Sequence, residues 1–284
     1  MKRSTRAEAA KQTVAITERG NYIAPSGRRV DLAESVQTCL AGTRLWTPEE
    51  LERLRRDLLA RPTGSRSATL EVVNESTLAG VTRCSADGAG PVAALNFASA
   101  KNPGGGFLNG SQAQEESLAR SSALYASQLR AWAFYEGHRG SPSLLYTDAM
   151  VVSPDCPVFR NDDGALLETL YPVTFITSAA PNAGAAADTR PHESPLIPET
   201  LRRRSEYVLA LAAWQGCRSL VLGAWGCGVF RNDPDVVAAA FAGHLVRGAW
   251  ASHFDRVVFS ILDASPTRDT TLPFERALGE RVAN

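Results

Sequence analysis

Six short runs of β-branched and other apolar residues recur from residue 68 onwards, separated by stretches that are typical of helices. The runs are almost continuously apolar, which predicts strands covered on both faces, as in a parallel or mixed sheet between layers of helices. We therefore expect an α/β fold with three α/β/α layers and a mixed, mostly parallel sheet of six or more strands. The predicted strands are 69–73, 92–97, 149–152, 173–178, 219–222 and 257–262.

The stretches between these runs are rich in helix-forming residues. They predict helices at 112–135, 197–215 and 234–249. Residues 179–192 show neither a strand nor a helix pattern and predict a mobile surface loop. The alternation of strands and helices supports the layered α/β arrangement.

The first part of the chain has a different pattern. Residues 5–19 predict a helix, 22–30 a small hairpin, and 47–59 a second helix that begins with an N-cap, a proline and a glutamate. These elements contain too few apolar positions to support a core of their own. We therefore expect a mainly helical accessory segment, 1–65, packed against a main domain, 66–284.

Two glycine-rich turns lie where predicted strands end and predicted helices begin. The first contains Gly104, Gly105 and Gly106, and the second consists of Gly226, Cys227, Gly228, Val229 and Phe230. Glycine lets backbone N–H groups approach a ligand closely, and the N-terminus of a following helix favours anions. Ligands of open α/β sheets bind at the carboxyl ends of the strands. Together the two turns predict a site that can enclose a diphosphate.

Two adjacent acids, Glu115 and Glu116, follow the first turn after Gln114. Neighbouring helical residues point about 100° apart, so these acids cannot flank one bond from opposite sides, as the paired carboxylates of common glycosidases do. Acid–base chemistry on one bond at this position would therefore use only one of the two acids. The alternative is structural: the acids compensate the helix dipole, and Glu116 forms a surface ion pair with Arg120.

The charge balance excludes several function classes. Lys plus Arg and Asp plus Glu number 30 each, so bulk charge attracts neither nucleic acid nor a membrane surface. No run approaches the roughly 20 apolar residues of a membrane span. A polyanionic ligand must therefore bind through local donors.

The cysteines and histidines show no metal-ligand spacing. The five cysteines are scattered, form no Cys-x-x-Cys pair and indicate a reduced, cytoplasmic protein. The four histidines are isolated as well. We expect no metal site, no cofactor and a monomer.

Two motifs resemble those of one enzyme family. Asn-Pro-Gly-Gly-Gly at 102–106, followed after seven residues by Gln-Glu-Glu at 114–116, resembles the catalytic motif of poly(ADP-ribose) glycohydrolases. Residues 226–230 resemble the diphosphate-binding loop of these enzymes, and 20–30 resembles the N-terminal region of their microbial-type branch. The resemblance covers nearly the whole chain. It implies a macrodomain fold and hydrolysis of the ribose–ribose O-glycosidic bond of poly(ADP-ribose).

The resemblance also implies residue roles. Glu116 is the catalytic acid, Glu115 holds ribose hydroxyls, and Phe230 packs against the distal ribose. The first turn surrounds that ribose and its nearer phosphate, and the second turn holds the diphosphate. Glu75 is a candidate for contact with the adenine amine. The other implied ligand-binding residues are Asn96, Asn102, Gly104, Gly105, Gly106, Gln114, Gly226, Cys227, Gly228 and Val229.

The implied partners are poly(ADP-ribose), ADP-ribose and the ADP-ribosylated proteins that bear the substrate, in the reversal of ADP-ribosylation and the response to DNA damage. Two alternatives stay open. A macrodomain that binds ADP-ribose without cleaving it does not need the Gln-Glu-Glu motif at 114–116. A hydrolase of mono-ADP-ribosylated proteins is not distinguished, because the bond cut depends on the outer wall of the cleft. We expect loops after Ser178 and Asp263 to form that wall.

Overall fold

The computed structural model describes residues 1–61, 67–88 and 90–279. The strands of the described residues are β1 (Asn21–Ile23), β2 (Arg29–Asp31), β3 (Arg44–Trp46), β4 (Thr69–Val73), β5 (Val92–Phe97), β6 (Met150–Arg160), β7 (Leu166–Ser178), β8 (Ser219–Leu222) and β9 (Arg256–Ser260). The α-helices are α1 (Arg3–Arg19), α2 (Ala33–Gly42), α3 (Pro48–Leu59), α4 (Thr77–Ala86), α5 (Gln114–Ser121), α6 (Leu124–Arg130), α7 (Trp132–Gly140), α8 (Ala183–Thr189), α9 (Ile197–Trp214), α10 (Pro234–Leu245) and α11 (Thr271–Leu278).

Seven strands form the main sheet in the order β3-β6-β7-β5-β8-β9-β4. The neighbours from β7 to β4 are all parallel, whereas β6 runs antiparallel to both β3 and β7. This arrangement confirms the predicted α/β fold with a mixed, mostly parallel sheet. It also brings the carboxyl ends of β7, β5, β8 and β9 to one edge.

The two faces of the sheet are covered by different helices. Along β5, Ala93 and Leu95 pack in a core with α3, α9, α10 and α11, whereas Val92 and Ala94 pack in a core with α2, α4, α5 and α6. All four side chains are buried. The alternation explains the continuous apolar run, because both faces of the strand exclude water.

The single helix predicted at 112–135 was wrong, since α5, α6 and the start of α7 occupy this stretch. The first break occurs at Ser122, whose extended backbone forms an isolated antiparallel bridge with Val158 of β6. A residue paired with a strand in this way cannot continue the helix. The reason for the break therefore lies in the tertiary structure.

One further element prediction was wrong, and one predicted strand is longer than expected. The surface loop predicted at 179–192 contains α8, because the side chain of Asn182 accepts a hydrogen bond from the N–H of Ala185 (3.0 Å) and caps a helix there. The strand predicted at 149–152 extends to Arg160 in β6. Its register with β7 shifts between Ser153 and Cys156, where Pro154 lies, and Pro157 pairs with Pro172 beyond the shift.

The segment before residue 62 follows its predicted elements and adds others. α3 begins with a capping box, in which Thr47 Oγ1 accepts from the N–H of Glu50 (3.3 Å) and the Glu50 carboxylate accepts from the N–H of Thr47 (2.9 Å). The short strand β3 was not predicted, and it joins the main sheet beside β6. The predicted boundary at residue 65 lies outside the described residues and stays a prediction.

Helix α1 packs against the segment that follows the first glycine turn. The guanidinium of Arg6 donates to the carbonyl oxygen of Gly110 (2.8 Å), and that of Arg3 donates to Asn109 (3.0 Å). A Cβ on Gly110 would lie 2.2 Å from the carbonyl oxygen of Arg3, so only glycine fits against the helix. The N-terminal helix therefore supports the loop that leads to Glu115 and Glu116.

Candidate active site

The two glycine turns begin at the same edge of the sheet. The N–H of Ala98 donates to the carbonyl oxygen of Ser178 (3.1 Å), which joins the segments that follow β5 and β7. Gly223 follows β8, and a Cβ there would lie 2.6 Å from the carbonyl oxygen of Ser260 and 3.1 Å from a ring atom of Phe97. The ends of β5, β8 and β9 are therefore in close contact, and both turns start from this point.

Glu115 lies beneath the first turn, and only 3% of its surface is exposed. Its Oε1 accepts hydrogen bonds from Asn96 Nδ2 (3.1 Å) and Gln128 Nε2 (2.7 Å), and its Oε2 accepts from the N–H of Ser99 (2.7 Å). Burial raises the pKa of Glu115 to about 8, because the loss of hydration outweighs the three donors that favour the charged form. The nearby Glu116 raises this pKa further. Glu115 therefore changes charge near neutral pH.

The raised pKa of Glu115 predicts a pH-dependent stability difference between the wild type and a Glu115→Gln variant. The carboxyl has a higher pKa in the folded state, about 8, than the ordinary value of 4.5, so folding favours its protonated form. Its contribution to stability is full below pH 4.5 and is lost as the pH rises through 8. We expect the free energy of unfolding of the wild type to fall relative to the variant by about 1.4 kcal/mol per pH unit between pH 5 and 8.

Urea unfolding of both proteins at several pH values in this range measures the difference directly. Glu8→Gln, which changes an exposed glutamate of α1, is the matched control and should show no such trend. A constant difference between the wild type and Glu115→Gln would contradict the assignment.

Glu116 lies beside the first turn in a half-buried position. Its Oε1 accepts a hydrogen bond from the N–H of Gly106 (3.0 Å). Gly105 has a φ of +57°, and a Cβ on this residue would lie 2.5 Å from the same oxygen. The other oxygen, Oε2, accepts no hydrogen bond from the described residues, so it is available to a ligand. At residue 105, glycine is thus required both by the positive φ and by the close contact with the Glu116 carboxylate.

Gln114 fixes the start of α5 to the end of β5. Its Oε1 accepts from the N–H of Phe97 (2.9 Å), and its Nε2 donates to the carbonyl oxygen of Leu95 (2.7 Å) and to Thr77 Oγ1 (3.2 Å). These bonds use both ends of the amide to pair with β5 beyond Ala94, where its register with β8 ends. The contacts indicate a structural role, and direct ligand contact by Gln114 stays a prediction.

The two asparagines expected to bind ligand lie in contrasting surroundings. Asn96 is fully buried and donates to Glu115 and to Thr177 Oγ1 (3.2 Å), so it orients the buried acid. Asn102 is exposed at the start of the first turn, where its carbonyl oxygen accepts from the N–H of Gly105 (3.0 Å). Of the two, Asn102 has the side chain that a ligand can reach from solvent.

The second turn is held against the segment that follows β7. Gly226 has a φ of +75°, and a Cβ there would lie 2.4 Å from Asn232 Nδ2 and 2.6 Å from the Cβ of Ala180. Asn232 is buried, and its Nδ2 donates to the carbonyl oxygen of Pro181 (2.8 Å). The turn is therefore fixed in place by close contacts that only glycine permits.

The outer part of the second turn offers free backbone donors. Among the described residues, no acceptor is bonded to the N–H groups of Gly228, Val229 and Phe230, and the Val229 side chain is 86% exposed. Consecutive unpaired N–H groups ahead of a helix, here α10, are typical of an anion site. Burial raises the pKa of the neighbouring Cys227 to about 12, so this thiol stays neutral. The turn can thus bind an anion through its backbone.

Tyr146 is a residue of the site that the sequence analysis missed. Its ring centroid lies 6.0 Å from that of Phe230, with the planes tilted by 44°, and its backbone has a φ of 60°. Arg204 is fully buried and donates to the carbonyl oxygens of Tyr146 (3.1 Å) and Leu145 (2.6 Å), while Asp148 pairs with it (2.7 Å). The strained backbone is held by this buried pair. No local motif marks Tyr146, because its neighbours in space come from distant parts of the chain.

Glu75, the candidate for adenine contact, already has partners. Its Oε1 accepts from Arg83 Nη2 (2.8 Å) and Ser260 Oγ (3.0 Å). The loop expected in the outer wall begins near Asp263, whose N–H donates to Asn74 Oδ1 (3.0 Å). Both features lie at the ends of β4 and β9, and their contact with ligand stays a prediction.

The described residues contain no group of three or more His, Cys, Asp or Glu that could hold a metal ion. The same residues include no helix with the length and apolar character needed to cross a membrane. The site itself brings together carboxylates and backbone N–H donors. It can transfer a proton to a ligand that is held by an anionic group at the second turn.

Comparison with known proteins identifies one family. The family model of the microbial-type PARG catalytic domain matches residues 10–161. The chain is similar to the poly(ADP-ribose) glycohydrolase (PARG) from Thermomonospora curvata, with 48% identity over 96% of this chain and 99% of that one and a TM-score of 0.91. The same enzyme bound to the inhibitor ADP-HPD gives 47% identity over the same shares and a TM-score of 0.89.

The chain is also similar to PARG from Deinococcus radiodurans in complex with ADP-ribose. The identity is 48% over 88% of this chain and 98% of that one, with a TM-score of 0.81. No curated protein matches the chain.

Proposed function

The chain belongs to the family of microbial-type poly(ADP-ribose) glycohydrolases, and from this premise we propose how its own residues cleave the polymer. The reaction is hydrolysis of the ribose–ribose O-glycosidic bond of poly(ADP-ribose), which releases ADP-ribose. Glu116 is the general acid and base, and Glu115 positions the reacting ribose. The substrate is held by the two glycine turns.

The observation that best supports this proposal is the asymmetry of the two adjacent acids. Glu116 is half-buried, one of its oxygens is fixed by the N–H of Gly106, and its other oxygen is open to a ligand. Glu115 is buried and held by three donors. This difference supports a role for Glu116 in proton exchange with the substrate and a role for Glu115 as a fixed group beneath it.

The reaction then needs a single catalytic carboxyl. Glu116 gives its proton to the leaving ribose oxygen as the glycosidic bond breaks, and a cation of oxocarbenium character develops on the other ribose. The resulting Glu116 carboxylate accepts a proton from the water that attacks this carbon, which restores the acid. The negative charge of the substrate diphosphate lies on the same ligand and stabilises the cation, as a second carboxylate does in other glycosidases.

The second turn supplies the diphosphate site in this proposal. The free N–H groups of Gly228, Val229 and Phe230 can donate to phosphate oxygens, and the helix dipole of α10 adds a favourable potential. The rings of Phe230 and Tyr146 form an apolar side to the turn, against which a ribose can pack. The sugar and the phosphates are thus held by different groups.

The deciding experiment compares two substrates. The protein is incubated with poly(ADP-ribose) and, separately, with mono-ADP-ribosylated protein, and released ADP-ribose is measured by chromatography. We expect release from the polymer. Tight binding of ADP-ribose without release from either substrate would instead indicate a macrodomain that only binds. Release from the mono-ADP-ribosylated protein alone would indicate a hydrolase of protein-linked ADP-ribose.

The close contacts of Gly226 predict a loss of affinity in a Gly226→Ala variant. The added methyl group would overlap with Asn232 and Ala180, and the φ of +75° strains any residue other than glycine. The turn must shift, so its free N–H groups move out of line with the phosphates. We expect the Kd for ADP-ribose to rise by at least about tenfold, which corresponds to about 1.4 kcal/mol.

The control is Gly216→Ala, at a glycine with a φ of +71° whose added Cβ would contact no atom within 4 Å. It introduces the same backbone strain far from the second turn. Isothermal titration calorimetry of both variants separates the two effects. Equal affinities for the two variants would show that the contacts of Gly226 do not matter for binding.

We also propose a cellular role and a location for the protein. Removal of ADP-ribose from ADP-ribosylated carrier proteins would reverse this modification, including after DNA damage. All five cysteines are free, which favours a reducing, cytoplasmic location. Fluorescence microscopy of the tagged protein in its own cells tests the location.

A further inference from the structure

We propose that Arg120 is a positioning residue, which holds the segment between the first glycine turn and α5 so that the Gly106 N–H stays aligned with Glu116. The inference rests on the proposed function, in which Glu116 is the acid. The sequence pattern left open a surface ion pair between Arg120 and Glu116. In the structure Arg120 is only 4% exposed, and it forms no ion pair with a carboxylate of the described residues.

The guanidinium of Arg120 bonds to the residues that precede α5. Its Nη1 donates to the carbonyl oxygen of Ser111 (2.8 Å), and its Nη2 donates to the side-chain oxygens of Gln112 and Ser117. A buried charge with neutral partners only is costly, so these bonds must be retained for the fold to tolerate it. The arginine therefore links the end of α5 to the segment that enters it.

Ser111 connects this clamp to the first turn. Its N–H donates to the carbonyl oxygen of Gly106 (3.1 Å), and a Cβ on Gly106 would lie only 2.4 Å from Ser111 Oγ. Gly106 in turn donates its N–H to Glu116 Oε1 (3.0 Å). If Ser111 moves, we expect Gly106 to move with it. The Gly106 N–H would then shift relative to the Glu116 carboxylate.

The accessory segment holds Arg120 from the other side. Thr13 of α1 donates its hydroxyl to the carbonyl oxygen of Arg120 (2.6 Å) and accepts a hydrogen bond from the buried Arg160 (3.1 Å). Arg160 also donates to the carbonyl oxygen of Gly164 (2.8 Å). These contacts of Arg160 do not involve the first turn. Arg160 is therefore as buried as Arg120 and also contacts Thr13, but it has no hydrogen bond to Ser111.

Arg160 therefore provides a matched control for Arg120. Arg160 is 4% exposed, as Arg120 is, and burial lowers the pKa of both guanidinium groups. Replacement of either arginine by methionine removes one buried charge, and neither replacement changes the carbonyl oxygen of residue 120 that Thr13 contacts. Only Arg120→Met removes the support of Ser111. A purely structural role would give both variants the same effect.

The experiment measures wild type, Arg120→Met, Arg120→Lys and Arg160→Met in the full chain. Calorimetry with ADP-ribose gives the fraction of molecules that can bind. The rate of ADP-ribose release from poly(ADP-ribose) gives KM, and kcat is then expressed per binding-competent molecule. We expect kcat of Arg120→Met to fall by about 10- to 100-fold, because small displacements of a catalytic group have effects of this size. We expect KM to stay within about threefold. Arg120→Lys keeps a donor near Ser111 and should recover part of kcat, and Arg160→Met should keep kcat per site.

Amide hydrogen exchange provides a readout that does not depend on activity. Exchange of residues 98–113 should speed up in Arg120→Met and not in Arg160→Met. Equal kcat per site in the two methionine variants, or equal exchange in this segment, would overturn the role of Arg120. If Glu116→Gln kept its activity, the proposed function would fail, while the exchange comparison would still decide whether Arg120 holds the turn.

Discussion

A Glu116→Gln variant is expected to bind ADP-ribose with nearly wild-type affinity and to release almost none from the polymer. Glutamine has the shape of glutamate, and its amide oxygen can still accept the hydrogen bond from the N–H of Gly106. It has no proton to give to the leaving ribose oxygen. Loss of a general acid lowers kcat by about 10²- to 10⁴-fold, so we expect a decrease of about 10³-fold at saturating substrate.

Chromatography of released ADP-ribose under single-turnover conditions measures this effect, because it excludes slow product release. Glu8→Gln again serves as the control for a glutamate on an exposed surface. A Glu116→Gln variant within tenfold of the wild type would transfer the role of the acid to another group, and Glu115 would be the next residue to test.

A Gly105→Ala variant is expected to lose most of its activity although it changes no polar group. Gly105 has a φ of +57°, a left-handed conformation that costs roughly 1–2 kcal/mol for a residue with a side chain. The added Cβ would lie 2.5 Å from Glu116 Oε1 and 3.3 Å from Glu115 Oε2. Both acids must then move away from the turn. We expect kcat to fall by about 10²-fold, since a displacement of the reacting group by about 1 Å can have an effect of this size.

Gly27→Ala separates the strain from the contact. Gly27 lies in the turn between β1 and β2 with a φ of +84°, and its added Cβ would contact no atom within 4 Å. This variant should lose a similar amount of stability in thermal unfolding and keep its kcat. If Gly105→Ala also kept its kcat, the two acids would not depend on the shape of the first turn.

The catalytic motif could be predicted because its chemistry is local. Three consecutive glycines and two adjacent acids lie within 13 residues of one another, and their conformational freedom and charge can be recognised without knowledge of the fold. The apolar run at β5 could be predicted for the same reason, since residues covered on both faces leave a continuous pattern. The sheet edge from which the turns of Gly105 and Gly226 begin could be predicted from the general position of ligand sites in such sheets.

Other parts of the site depend on contacts between distant residues. Arg120 is placed four positions after Glu116, so helix geometry alone suggests an ion pair between them. The bonds of its guanidinium to Ser111, Gln112 and Ser117 direct its side chain elsewhere. Its carbonyl oxygen accepts from Thr13, which lies more than a hundred residues earlier. Tyr146 lies beside Phe230, and its backbone is held by Arg204 from a later helix. No local pattern contains this information.

The position of β4 at the edge of the main sheet affects how the chain folds during its synthesis. β4 leaves the ribosome early, yet its one neighbour in the described sheet is β9, which is made almost a whole domain later. Until then the nascent chain exposes the unpaired N–H and C=O groups of β4, and such groups pair readily with other chains. The incomplete chain, and not the finished enzyme, is therefore the species most exposed to aggregation. A slowly translated stretch before β9 would lengthen that exposure.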